Sequence, residues 1–161
     1  MKSQPYYFED FEENESFKTV AMTLTEEAIT RFAMEWDFQE FHIDKDAAKH
    51  SIFGGLIASG LHVLSLSFRL YNELGLMRGT GLAGLGISEL HWVRPAYAGD
   101  SLRVVITVLN KRRTKNPDRG LVVVRLTTFN QADDLVMTAD LSCLVKCRNP
   151  NTSMFNPDAA G

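Results

Sequence analysis

Residues 54–74 constrain the fold more than any other part of this chain. Ile57, Leu61, Leu64, Phe68 and Tyr71 recur at spacings of four, three, four and three, one stripe of a helix with about 3.6 residues per turn. Leu66, Leu70 and Leu74 make a second stripe, so a helix over residues 55–74 is apolar on more than one side. Gly54 and Gly55 mark the turn into it. Such a helix has to be covered, and a sheet covers it most economically. A membrane span is excluded, because Ser59, His62, Ser65, Ser67, Arg69 and Glu73 interrupt the apolar run.

The remaining segments can supply that cover. In residues 101–109, Leu102, Val104, Ile106 and Val108 alternate with Arg103, Val105 and Thr107, the signature of a half-buried strand. Residues 121–129 and 135–145 repeat the pattern, with turn chemistry at Gly99-Asp100, at residues 116–120 and at Asp133-Asp134. Three strands so spaced form an antiparallel meander, and residues 87–93 read as a further strand ending at Arg94-Pro95. The glycines at 75, 79, 81, 84 and 86 predict a flexible exit from the long helix. Upstream, residues 17–24 read as a strand. Thr25 with Glu26 and Glu27 caps a short helix whose apolar face is Ala28, Ile29, Phe32, Ala33 and Trp36. Residues 37–53 do not read as regular structure.

The order is strand, short helix, loop, long helix and four strands. It fits an α+β domain of the hot-dog type, a curved antiparallel sheet wrapped around one long central helix. Residues 1–148 make one such domain. Residues 1–15 form an arm with some aromatics docked, and residues 149–161 form a tail. A sheet of this kind leaves a long edge strand open, so a homodimer or higher homo-oligomer is expected.

The 161 residues carry a net charge of −3, which argues against nucleic acid as the main partner. The N-terminus has no apolar signal region and no segment spans a membrane, so the expected compartment is the cytoplasm. Cys143 and Cys147 lack the second pair or the histidine that a zinc site needs; they read as reduced thiols, and no metal site is expected.

Chemistry concentrates just before the long helix. Asp37 and His42 stand five residues apart, and together an acid and an imidazole can hold a water and move a proton near neutral pH. Spacing alone does not separate this from a turn aspartate beside a hydrogen-bonded loop histidine. Gly60, near the helix start, either lets another backbone approach or offers an N–H to a developing oxyanion. His62 and His91 read as packed or hydrogen-bonded. Lys111, Arg112, Arg113, Lys115 and Arg119 flank the Asn116-Pro117 turn. They form either a solvated hairpin tip or contacts for coenzyme phosphates.

These residues together resemble the MaoC-like dehydratases, single-domain relatives of the (R)-specific enoyl-CoA hydratases. The family motif D-x-N-P-x-H-x-D is met by D-F-Q-E-F-H-I-D over residues 37–44, followed by D-A-A at 46–48. F-G-G-L-I-A-S-G at 53–60 stands where the family has F-G-x-x-I-x-H-G. L-H-W-V-R-P-A-Y-A-G-D-S-L at 90–102 and P-D-R-G at 117–120 extend the likeness to roughly residues 15–148.

The resemblance implies that Asp37 and His42 are the catalytic pair and that the Gly60 N–H lies in an oxyanion hole. Phe53, Gly54 and Ser59 are the expected substrate contacts, and of the cations Arg113, Lys115 and Arg119 are the ones expected to meet a coenzyme tail. The substrate would be an acyl-CoA or acyl-carrier thioester, with coenzyme A present only as part of it and no separate cofactor. Gln39 and Glu40 replace the motif's Asn and Pro, which predicts a less rigid loop, and Ser59 replaces its His. The serine that in some hydratases contacts the aspartate from further along the helix falls by spacing at Phe68. Two other activities fit the fold. A hot-dog thioesterase needs an acid on or next to the long helix, where only Glu73 stands, far from its start. A non-catalytic acyl-binding module needs neither Asp37 nor His42.

Overall fold

The computed structural model describes residues 5–149. The tail expected at 149–161 lies almost wholly outside them, as do residues 1–4 of the arm. Six antiparallel strands form the sheet: β1 (Ser16–Lys18), β2 (Met22–Thr23), β3 (Gly81–Trp92), β4 (Ser101–Arg113), β5 (Arg119–Phe129) and β6 (Leu135–Lys146). The order is β1-β4-β5-β6-β3, with β2 also on β4. The expected first strand is therefore two short pieces, broken between Lys18 and Met22. At the break the Thr19 hydroxyl, in place of a backbone carbonyl, accepts from the Val104 N–H and itself donates to the Val20 carbonyl.

Four helices stand before or on the sheet: α1 (Glu26–Trp36), α2 (Glu40–Ile43), α3 (Lys45–His50) and α4 (Gly60–Glu73). The alternation seen in β4 is realised, with Leu102, Val104, Ile106 and Val108 all fully buried. From β5, Val122, Val124 and Leu126 join them, and α4 lies across β4, β5 and β6 with Val63, Leu66, Leu70 and Tyr71 turned inward. Each such aliphatic side chain contributes about 1.5–3 kcal/mol by leaving water. Among residues 5–15, Tyr6, Phe8 and Phe11 are buried.

Three expectations are corrected. Residues 37–53 are not irregular, since α2 and α3 occupy most of them. Asp44 closes one helix and caps the next, accepting from the N–H groups of Asp46 and Ala47. Glu40 stands first in α2, where the family motif has proline. Both are favoured there, proline by its fixed φ and glutamate by the helix dipole.

The long helix begins at Gly60 rather than residue 55. Residues 56–58 are held extended against residues 96–98, by Ala58 N–H to the Ala96 carbonyl and Ala98 N–H to the Leu56 carbonyl. Nor is the helix wrapped on every side: Leu66 and Leu70 of the second stripe are buried, but on the first stripe Leu61 is 46% exposed and Phe68 44%. Thirdly, the glycine-rich exit is mostly strand, since β3 starts at Gly81 and takes in Gly84 and Gly86. β3 is the sheet's far edge, exposed along nearly its whole length, and a groove of about 690 Å³ runs between it and the Phe68–Tyr71 side of α4.

Candidate active site

Four local structures converge on Asp37. α1 starts where Thr25 accepts from the Ala28 N–H, and it ends by presenting Asp37 as its C-cap, with the Asp37 N–H on the Ala33 carbonyl. α2 carries His42 in its last turn, 4% exposed. α4 starts at Ser59 and Gly60. β3 ends at Trp92.

Asp37 Oδ2 lies 3.5 Å from His42 Nε2 and accepts a 2.6 Å hydrogen bond from Ser59 Oγ. The other oxygen, Oδ1, accepts from Gln39 Nε2 at 2.7 Å. The Ser59 hydroxyl holds the Asp37 carboxyl below the usual carboxylate range. Partial burial opposes this, and the Gln39 amide and His42 reinforce it. His42 Nδ1 sits 2.8 Å from the Ile57 carbonyl. A carbonyl only accepts, so Nδ1 carries the hydrogen and Nε2, facing Asp37, is left as the atom that gains and loses a proton. The Phe41 ring stands edge-on to the imidazole at 4.5 Å and fixes its plane.

Gly60 is the first residue of α4, and its N–H lies among the four that no helical carbonyl reaches. Only glycine fits there, because a methyl group would sit 2.5 Å from the Trp92 ring, whose Nε1–H donates to the Gly60 carbonyl at 2.8 Å. The Leu61 N–H donates to Ser59 Oγ, so the first turn of the helix is pinned from both sides. Asp37, His42 and Gly60 line one pocket of about 410 Å³, walled by Phe53, Leu61 and Trp92, with Arg94 as its cation. The pocket can hold a water or hydroxyl beside the carboxylate and imidazole and place a carbonyl oxygen near the helix start.

The sequence-predicted residues divide. Asp37, His42, Gly60 and Phe53 meet in this pocket. Gly54 forms the neighbouring left-handed turn at φ 67°. Ser59 is 0% exposed, and its hydroxyl is taken up by Asp37 and the Leu61 N–H, so it stands behind the carboxylate and not in the pocket. Phe68, offered by spacing as the position touching the aspartate, lies over the β3 groove instead.

Arg113, Lys115 and Arg119 sit at the β4–β5 turn. There Arg119 pairs with Lys146 at the end of β6, whereas Val93 bonds Val136 at its start. The twelve residues of β6 separate these ends by on the order of 35 Å. Arg113 is engaged with Glu9 at 3.0 Å. Neither His62, stacked on Phe32, nor His91, beside Glu89, lines the pocket.

Three contributors were missed from the sequence: the Gln39 amide on Asp37, the Ile57 carbonyl on His42, and Trp92. Only Gln39 left a sequence signal, as the long amide in the motif's Asn position. Among the described residues there is no cluster of His, Cys, Asp and Glu fit to hold a metal ion, and no helix long and apolar enough to cross a membrane.

An antiparallel sheet laid across one long helix, with an acid–imidazole pair at the helix start, places the chain among the hot-dog proteins. A family model described as the MaoC like domain matches residues 10–130. The chain belongs to the MaoC-like dehydratase family.

It is 34% identical over 138 residues to the uncharacterized protein YdeM of Bacillus subtilis, covering 86% of this chain and 97% of that one. The crystal structure of the MaoC-like dehydratase from Rhodospirillum rubrum superposes with a TM-score of 0.83 at 36% identity, over 89% of this chain and 99% of that one. A mesaconyl-CoA hydratase of Cereibacter sphaeroides is 31% identical over 83 residues, 50% of this chain but 24% of that larger protein.

Proposed function

We propose that the chain hydrates an enoyl thioester reversibly, using Asp37 and His42 on one water and the Gly60 N–H on the thioester oxygen. The observation that carries this reading is the 2.8 Å contact of His42 Nδ1 with the Ile57 carbonyl. With Nδ1–H held by the Ile57 carbonyl, Nε2 is free to accept a proton, and one water beside Nε2 and Asp37 Oδ2, which lie 3.5 Å apart, can reach both. In the forward direction the water oxygen bonds to the β-carbon as His42 Nε2 takes its proton. The electron pair of the alkene moves onto the thioester oxygen, where the Gly60 N–H stabilises it. His42 Nε2–H then protonates the α-carbon. Asp37, kept ionised by its two donors, orients the water and balances the charge on the imidazole. One proton carrier on one face adds H and OH syn.

The name of the Cereibacter sphaeroides relative supports a coenzyme A thioester as substrate. A thioesterase would have to use Asp37, which stands beside the helix start; α4 itself has no acid in its first turn, and Glu73, at its far end, is paired with Arg69 at 2.9 Å.

The same reading includes a homodimer paired through β3, which exposes Leu82, Leu85 and Ile87 along an open edge. Antiparallel pairing of β3 with its copy would bring the partner's hairpin end alongside the Trp92 end of this chain. The cationic tip with Lys115 and Arg119 would then meet coenzyme phosphates from the second copy.

The test is a panel of enoyl-CoA and 3-hydroxyacyl-CoA thioesters, following conjugated alkene and free thiol together. Alkene loss or gain with no thiol released is the expected result. Thiol release with the alkene intact would replace this reading with a thioesterase.

A further inference from the structure

We propose that Ser59 is a positioning residue for the reaction, its hydroxyl locking the Asp37 carboxylate to the first turn of α4 so that acid–base pair and oxyanion donor are held as one unit. This rests on the hydration reading above. A serine hydroxyl has one hydrogen and two lone pairs. The Leu61 N–H points at Ser59 Oγ from 3.1 Å, and an N–H only donates, so the serine proton is left for Asp37 Oδ2 at 2.6 Å. The direction of the bond is therefore fixed by the helix. Oxygen-to-carboxylate bonds of this length are charge-assisted and roughly twice as strong as neutral ones.

The two donors on Asp37 are not equivalent. Gln39 reaches Oδ1 on the exposed side, where solvent can replace it. Ser59 is 0% exposed, so no water takes its place. Asp37 and Ser59 are 22 residues apart, and their bond ties the end of α1 to the start of α4. Gly60 lies between Ser59 and Leu61, and its carbonyl is held by Trp92 on the other side. Loss of the hydroxyl strips partners from the Leu61 N–H and from Asp37 Oδ2 together. The freed carboxylate can then rotate away from His42, and the helix turn that presents the Gly60 N–H loses its cap.

The test is a carboxyl ¹³C NMR titration of Asp37, without substrate, in wild type, Ser59→Ala, Ser59→Thr and Thr25→Ala. Thr25→Ala removes a helix N-cap that does not touch Asp37, and so controls for lost capping alone. Ser59→Ala is expected to raise the Asp37 midpoint by about one pH unit, the tenfold change in proton affinity that loss of a hydrogen bond to a charged group produces. Its kcat should fall about tenfold or more with KM little changed, the pattern of a lost transition-state contribution. Ser59→Thr keeps the hydroxyl and should keep the wild-type midpoint, and Thr25→Ala should keep both midpoint and kcat.

An Asp37 titration in Ser59→Ala that matches wild type overturns the proposal. Should Ser59→Ala fail to fold, a raised midpoint in Ser59→Thr overturns it instead. A shifted midpoint in a protein that hydrates no thioester contradicts the hydration reading and leaves the Ser59–Asp37 lock standing.

Discussion

The two ends of α4 are built for different neighbours. At its start, polar groups are fixed in place: Ser59 holds Asp37, Leu61 holds Ser59, and Trp92 holds the Gly60 carbonyl. Toward its end, Phe68 and Tyr71 look onto an apolar groove beside a strand whose outer edge is open. The first end orients a carboxylate and an imidazole within one chain, the pair proposed to react. The second offers hydrophobic surface and free backbone hydrogen-bonding groups, which another protein surface can satisfy. On the proposed reading one helix separates chemistry from assembly along its length, and a substitution at one end should leave the function of the other readable.

The largest effect is expected at the polar end. Asp37→Asn or His42→Ala alone should each reduce hydration by about 10²–10⁴, the range for general acid–base catalysis. Because the two act on one water, the double variant should be little worse than either single one in steady-state assays. Light scattering should show all three variants with the wild-type mass.

The apolar end is broken by charge. Ile87→Lys on β3 should convert a dimer into a monomer, by burying an unpaired ammonium in the interface or preventing its formation. Sedimentation reads the mass, and the Asp37 titration should be unchanged. A wild-type chain that is monomeric at micromolar concentration contradicts the assembly part of the account.

Gly60→Ala tests how closely the helix start is packed. The added methyl meets the Trp92 ring, and overpacking of this kind costs about 1–3 kcal/mol in thermal or denaturant unfolding. Trp92→Ala in the same chain should recover part of that loss, since it removes the obstructing ring.

The smallest effect belongs to the arm, at the hairpin end of the sheet. Burial opposes ionisation of Glu9, but the Arg148 N–H, with Arg113 nearby, outweighs it and holds the carboxyl below its usual range. A depressed folded-state value contributes stability that is present above the unfolded value, about 4.3, and is lost as pH falls through the folded one. Glu9→Gln should therefore cost up to about 1 kcal/mol at neutral pH, and the difference should vanish in unfolding curves taken below the folded value.

The sequence carried the fold because its two periods were clean. The alternation of Leu102, Val104, Ile106 and Val108 became a buried strand face, and Thr25 became the cap it resembles. It misjudged β3, because Gly81, Gly84 and Gly86 contribute no side chain to a period-two pattern, yet backbone pairing with β6 alone makes them strand. It placed the helix start five residues early, because the apolar pattern continues through residues 56–58 while tertiary pairing with 96–98 keeps them extended. In the site, the motif exposed Asp37, His42 and Gly60 as a group. The Ile57 carbonyl and the Trp92 ring left no mark, since backbone acceptors are the same at every position and contacts across the fold have no spacing rule. Ser59 was legible as a small residue before a glycine, but its partner 22 residues away was not.

Hydration of a trans-2-enoyl-CoA in deuterium oxide, with the 3-hydroxyacyl product analysed by NMR, tests the central claim most directly. A single proton carrier beside a single water predicts one deuterium at the α-carbon, on the same face as the new hydroxyl. Addition to opposite faces, or product with the alkene intact and the thioester cleaved, would contradict it.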